Sequence, residues 1–114
     1  MSFWRNRIIQ PSLDRDVEDA VAEQRAILER DPANPQAHLA LGALFHLKGQ
    51  TDPAIECFQK AIELDPAFAA PHLSLGRIYA VRGQYEAAWK HAREAARLGD
   101  RSLLEQLERY PKAK

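Results

Sequence analysis

Two stretches of the chain, residues 35–68 and 69–102, follow one plan at an offset of 34 residues. A fixed period in this range is typical of a structural unit that cannot bury its apolar face alone and stacks on copies of itself. We therefore expect an all-α stack of antiparallel helix pairs. The identical pairs are His38 and His72, Leu39 and Leu73, Leu41 and Leu75, Gly42 and Gly76, Gly49 and Gly83, Gln50 and Gln84, Ala54 and Ala88, Ala61 and Ala95, and Leu64 and Leu98.

Prolines, glycines and short polar residues divide the chain into about six predicted helices. Apolar residues recur at helical spacing after Pro11, and this first helix ends at Asp31. Asn34 before Pro35 predicts an N-cap, and Asp52 before Pro53 predicts a second one. The predicted units are residues 1–33 (an N-terminal segment with a half-repeat or capping helix), 34–68 (first repeat), 69–102 (second repeat) and 103–114 (a C-terminal capping helix and tail).

The matched positions resemble the tetratricopeptide repeat (TPR) pattern of an indole, a Leu-Gly pair, an aromatic ring, a small residue, a second aromatic residue, a second small residue and a proline. The pattern can be laid on the first unit at positions His38, Leu41, Gly42, Phe45, Ala54, Phe58, Ala61 and Pro66. In the second unit it falls on His72, Leu75, Gly76, Tyr79, Ala88, Ala92 and Ala95. The resemblance implies a superhelical stack that works as a non-enzymatic module for protein–protein interaction.

The chain departs from the family pattern at three kinds of position. His38 and His72 replace the tryptophan, Ala92 replaces the second aromatic residue, and Asp100 stands where a proline is expected. A small residue at the aromatic position leaves space unfilled between the two helices of a pair. We therefore expect the second helix of the second repeat to be anchored less tightly than its counterpart in the first.

Composition excludes several classes of partner. Sixteen basic side chains balance sixteen acidic ones, so no overall field attracts nucleic acid or an anionic membrane. No apolar run approaches the length of a membrane span, and Met1–Pro11 lacks the apolar stretch of a secretory signal. A single cysteine, Cys57, cannot form an internal disulfide. These observations predict a cytoplasmic protein that binds neither nucleic acid nor a membrane.

The sequence shows no constellation typical of catalysis, cofactor binding or metal binding, and we predict none of the three. The glycines match no phosphate-binding loop. Cys57 falls on the outward side of its predicted helix and is interpreted as an unreactive thiol. His38 and His72 occupy equivalent sites and could face each other, but two ligands are too few for a metal. His46 and His91 have no such pairing.

Function in this family lies on the inner curve of the stack, and the inner surface predicted here is apolar. The clamp of lysine, asparagine and arginine that holds acidic chaperone tails is absent, because its first two sites fall on Leu39 and Ala43. An apolar groove with Arg77 suits a partner helix or extended segment that offers hydrophobic side chains and one carboxylate. The alternative is that Leu39, Leu73 and Val81 are core. The predicted groove residues are Gln36, Leu39, Ala43, His46, Leu47, Ala70, Leu73, Arg77, Ala80 and Val81.

The N-terminal segment Met1–Gln10 interleaves apolar and basic side chains, and two arrangements would bury the apolar ones. The segment could fold back on Val17 and Val21 as a surrogate for the missing first helix of a degenerate repeat. It could instead enter the groove of a second copy and form a homodimer. The residues that would make the dimer contact are Phe3, Trp4, Ile8 and Ile9.

Two other functions remain as alternatives to groove binding. A self-assembling scaffold would join copies through terminal faces, since residues 1–57 hold 6 basic and 9 acidic side chains whereas residues 58–114 hold 10 and 7. Exposed charges contribute little to such contacts, however. An RNA-binding helical repeat needs a basic track, and the predicted groove has one arginine.

Overall fold

The computed structural model describes the backbone of residues 2–109 and the side chains of residues 15–109. Within that range the chain is all α, with six helices and no strands. The helix count agrees with the sequence-based prediction. The helices are α1 (Ser2–Arg30), α2 (Pro35–Leu47), α3 (Thr51–Leu64), α4 (Ala69–Val81), α5 (Tyr85–Arg97) and α6 (Ser102–Glu108).

Local signals explain where the paired helices begin and end. The Asn34 side chain accepts a hydrogen bond from the Ala37 amide at 3.1 Å, so it caps α2 as predicted. Gly49 and Gly83 have φ angles of 81° and 78°, which only glycine adopts without strain. In each case the amide of the following glutamine donates to a carbonyl in the last turn and so closes the helix end. Asp52, in contrast, lies in the first turn of α3 and is not its cap.

Helix α1 differs from the sequence-based prediction. It begins at Ser2 and continues through Pro11, although an interior proline removes a backbone hydrogen bond and commonly breaks a helix. One continuous helix cannot fold residues 2–10 back onto its own Val17 and Val21, so that arrangement is wrong. The predicted dimer contact through Phe3, Trp4, Ile8 and Ile9 falls on side chains outside the described residues.

The helices pack in sequence order, as expected for a repeat stack. Helix α2 pairs with α3 and α4 with α5, while α1 packs on α2, α3 on α4, and α5 on α6. Three apolar clusters lie along the described helices, one between α1 and α2, one between α3 and α4 and one among α4, α5 and α6, so the core is distributed along the stack. The stack measures 45 × 41 × 21 Å. No helix within the described residues is both long enough and apolar enough to cross a membrane.

The two repeats achieve close packing in different ways. A Cβ atom at Gly42 would lie 2.7 Å from the ring of Phe58, which is 2% exposed. A Cβ atom at Gly76 would instead meet the tip of Leu103 from α6. Ala92, the counterpart of Phe58, is fully buried beside this leucine. In the second repeat, Leu103 therefore occupies the space that the aromatic ring fills in the first repeat. The second helix of the second repeat, α5, is thus not loosely packed.

Successive repeats are joined by an ion pair that recurs at the same offset. Lys48, just after α2, pairs with Glu18 of α1. Arg82, just after α4, pairs with Asp52 of α3 at 2.9 Å. Because both partners shift by 34 residues together, α1 takes the place of the second helix of a preceding repeat.

Candidate functional site

A cavity lies on the inner curve between α2 and α4, with α3 as its floor. It encloses about 360 Å³. Helices α2 and α4 form its walls because each is the first helix of its pair, and α3 fills the space between them. We call this cavity the inner groove. It is lined by Ala43, His46, Thr51, Phe58, Ser74, Arg77, Ile78, Val81 and Arg82.

Four of the ten residues predicted for the groove line it together: Ala43, His46, Arg77 and Val81. Val81 is 90% exposed, so its side chain is available to a partner. Leu47, at the equivalent position in the first repeat, is 67% exposed but lies outside the lining. The binding role of these residues stays a prediction.

The remaining predicted residues lie elsewhere. Leu73 is only 9% exposed and packs in the core cluster between α4, α5 and α6. Leu39 is half-buried against the α3–α4 cluster, and Ala80 packs against the same cluster as Leu73. Gln36 is exposed and Ala70 half-buried, and neither lines the inner groove. Leu39 and Leu73 therefore contribute to packing, which is the alternative interpretation of their apolar spacing.

The charge of the inner groove is basic. Its lining contains Arg77, Arg82 and His46 and no aspartate or glutamate. Arg82 is paired with Asp52, whereas Arg77 is exposed and forms no ion pair with any residue from 15 to 109. Arg77 does act at longer range on Asp100. The pKa of Asp100 is lowered mainly by hydrogen bonds from Ser102 and further by the Arg77 guanidinium.

Five lining residues were not predicted, for two different reasons. Thr51 and Phe58 belong to the second helix of the first repeat, whereas every predicted position lies on a first helix. Ser74, Ile78 and Arg82 lie beside the predicted positions of α4. The recurring spacing of 30 residues between Asp52 and Arg82, and between Glu18 and Lys48, was a signal that could have placed Arg82 against α3.

The histidines do not pair as His38 with His72, the arrangement considered from the sequence. His72 and His91 approach with their Nδ1 atoms 3.0 Å apart, so one ring donates a hydrogen bond to the other. Tyr79 stacks on His91 at 5.6 Å between ring centroids. His38 instead hydrogen-bonds the carbonyl of Pro32 at 3.1 Å. The expectation that His91 has no partner is wrong, because α5 brings it beside His72.

Burial sets the protonation of this pair. The pKa of His91 is lowered to about 4, mainly because burial penalises the charged ring and further because His72 is close. Burial also lowers the pKa of His72. Both rings are therefore neutral at pH 7. Within residues 15–109, no three His, Cys, Asp or Glu side chains meet in a way that could hold a metal ion.

Cys57 does not point outward as expected. Its side chain is half-buried against the cluster formed by Val17, Val21 and Leu41 at the α1–α2 junction. Burial, with the nearby Glu56 carboxylate, raises the pKa of the thiol. The neutral thiol predominates at pH 7, which makes Cys57 a poor nucleophile.

Comparison with known families agrees with the geometry. A tetratricopeptide repeat model matches residues 35–68, which cover α2 and α3. A second tetratricopeptide repeat model matches residues 57–90 and so spans the junction between the two repeats. The chain belongs to the tetratricopeptide repeat family. Members of this family generally mediate protein–protein interaction and are non-enzymatic. A search of curated proteins finds no significant match.

Proposed function

We propose that the inner groove binds a segment of a partner protein that offers an apolar side chain and a nearby carboxylate. The apolar side chain enters above the Phe58 ring, and the carboxylate pairs with Arg77. A short acidic and apolar peptide, helical or extended, has this chemistry. The protein thus works as a non-enzymatic interaction module.

The observation that carries this proposal is the combination of shape and charge at one place. The groove has an apolar floor, an exposed Val81 on one wall, and basic residues with no acidic residue in its lining. A carboxylate that approaches Arg77 therefore meets attraction without competition from a lining carboxylate. Because α2 and α4 are held by packing against α3 and α5, the groove is formed before a partner arrives, which lowers the ordering cost of binding.

Self-assembly through the terminal faces has weaker support from the described residues. The outward side chains of α6 are polar or charged, among them Glu105, Gln106 and Glu108. Outward residues of α1 from 15 to 30 are also mostly charged. Polar outer faces terminate a repeat stack and keep copies apart.

A random peptide library displayed on phage tests the proposal and requires no identified partner. Selection on the full chain should enrich peptides with an apolar residue close to Asp or Glu. Selection on Arg77→Glu should reverse the charge preference and enrich Lys or Arg. The matched control is Arg30→Glu, which makes the same charge change at an exposed position of α1 and should enrich the original peptides.

Binding of one selected peptide then measures the contacts. We expect Arg77→Glu to weaken the binding of an acidic peptide by about tenfold or more, because the substitution places two negative charges together. Val81→Glu should also weaken binding, with little loss of stability because Val81 is exposed. If both variants and Arg30→Glu enrich and bind the same peptides as the unmodified chain, the groove is not the binding site.

A further inference from the structure

The ion pairs that join successive repeats define a third acidic position. Glu18 and Asp52 are equivalent residues. Each pairs with a basic residue that directly follows the first helix of the next repeat, Glu18 with Lys48 and Asp52 with Arg82. Glu86 of α5 is the third member of this series at the same offset. Within residues 15–109, Glu86 forms no ion pair.

Helix length explains why the third position differs. Helix α4 has 13 residues and lies along α3 until Arg82 reaches Asp52. Helix α6 has 7 residues and ends at Glu108. At 1.5 Å per residue, α6 is about 10 Å long and α4 about 20 Å. Helix α4 covers one surface of α3. Helix α6 covers only part of the corresponding surface of α5.

Within residues 15–109, the part of α5 that α6 does not cover lines a cavity of about 490 Å³ beside α6. Trp89 and Leu104 give it an apolar floor, and both side chains are half-buried. Trp89 occupies the position equivalent to Ile55, which packs in the α3–α4 cluster with Leu75 and Ile78. We call this surface the α5–α6 face; it is lined by Glu86, Trp89, Arg93, Leu104 and Glu108.

We propose that the α5–α6 face docks a helix of a partner protein that carries a lysine or arginine, and that this basic side chain pairs with Glu86. Two features of the molecule support this choice of partner. The same contact, an apolar helix face with a basic residue at its end, already joins α4 to α3. The lining carries two carboxylates against one guanidinium, so it favours a basic partner.

This surface is separate from the inner groove in location and in charge. The groove lies between α2 and α4 and is basic, whereas the α5–α6 face lies at the end of the stack and is acidic. The two surfaces therefore favour partner segments of opposite charge.

The chain's own helix α4 supplies a probe for the test. The probe is a synthetic peptide that copies residues 73–84, acetylated and amidated. A lactam between positions 77 and 81 holds it helical, because such a short peptide is not helical in water. Both of those positions are exposed in α4, so the lactam leaves the side of the helix that packs on α3 unchanged.

The experiment is an NMR titration of the full isotope-labelled chain with this peptide. We expect shift changes at the indole N–H of Trp89 and at the amides of Glu86 and Leu104. Replacing Glu86 by Lys should raise the Kd of the peptide about threefold or more, as loss of an exposed ion pair predicts. A peptide with Arg82→Glu should bind the Glu86→Lys chain better than it binds the unmodified chain.

Two further variants guard against misfolding and non-specific charge effects. Glu86→Gln removes the charge with little change in shape and should weaken binding less than Glu86→Lys does. Glu29→Lys makes the same charge reversal on an exposed part of α1 and should leave the Kd unchanged. The proposal is overturned if no shifts occur at the α5–α6 face, if they occur only in the inner groove, or if Glu29→Lys and Glu86→Lys have equal effects.

Discussion

The two repeats share a 34-residue plan but fill their interiors from different sources. In the first repeat, Phe58 of α3 lies under Gly42, so the helix pair contains its own filling residue. In the second repeat, the equivalent residue is Ala92, and Leu103 of α6 lies under Gly76. A side chain from the next helix along the chain thus compensates for the missing aromatic ring.

This difference changes how each repeat depends on its surroundings. In the first repeat, the space under the glycine is filled from the same helix pair, whereas in the second repeat it is filled only when α6 is packed on α4 and α5. A capping helix therefore does more than cover a terminal face here. It also supplies part of the core.

The largest expected effect is at the first repeat. Phe58→Ala removes a ring that is 2% exposed and should lower the free energy of unfolding by about 3–5 kcal/mol, because it leaves a cavity. Urea denaturation measures this loss. Tyr85→Ala is the control, since Tyr85 is exposed and its removal should cost little. Equal losses for the two variants would show that Phe58 does not fill the first repeat.

Truncation of Leu103, the side chain that α6 contributes to the second repeat, should lower the free energy of unfolding somewhat less. Leu103→Ala should lower the free energy of unfolding by about 2–4 kcal/mol, and hydrogen exchange should show the loss of protection in α4 to α6 and not in α2. Gly76→Ala should destabilise the unmodified chain but not the Leu103→Ala variant, because its new methyl group contacts Leu103. Additive effects of the two substitutions would contradict this arrangement.

The histidine pair, which exists only in the second repeat, predicts a dependence on pH. The folded-state pKa of His91 is about 4, against an unfolded value of about 6.5. Unfolded chains therefore take up a proton that the folded state resists, so stability should be full above pH ~7 and fall as pH decreases from ~6.5 to ~4. We expect a loss of about 1–2 kcal/mol, discounted because His91 is only half-buried.

Several groups set the field around this pair. Tyr79 comes from α4, and Lys90, Glu94 and Arg97 come from α5. The test compares denaturation of the unmodified chain at pH 7 and pH 5 with that of His91→Leu, which should depend less on pH. His46→Leu is the control at an exposed histidine. An unchanged pH dependence in His91→Leu would exclude this account of the pair.

The smallest expected effect is the loss of the ion pair that joins successive repeats. Asp52→Ala should cost about 0.2–1 kcal/mol through loss of the pair with Arg82, and high salt should reduce the difference. Glu86→Ala is a matched control, because Glu86 also lies in the first turn of its helix but forms no ion pair within residues 15–109. If both substitutions have the same effect, helix-end charge alone explains the loss.

Much of the fold follows from local sequence signals. The 34-residue offset and the caps at Asn34, Gly49 and Gly83 predict α2 to α5 because each signal acts within a few residues of its own helix end. Pro11 led to the wrong start for α1, since a proline predicts a helix boundary from local geometry alone.

The rest depends on contacts between helices, for which sequence spacing has no simple rule. The position of Leu103 under Gly76 and the pairing of His72 with His91 both depend on how α5 and α6 cross α4. In the inner groove, spacing on the first helices predicted Arg77 and Val81. It did not predict the floor formed by Phe58, which comes from another helix.

The most direct test of the central claim is a crystal structure of the chain bound to a peptide selected from the random library. We expect the peptide's apolar side chain between α2 and α4 above Phe58, with its carboxylate on Arg77. A peptide seated outside the inner groove, with Arg77 and Val81 free of contact, would contradict the claim.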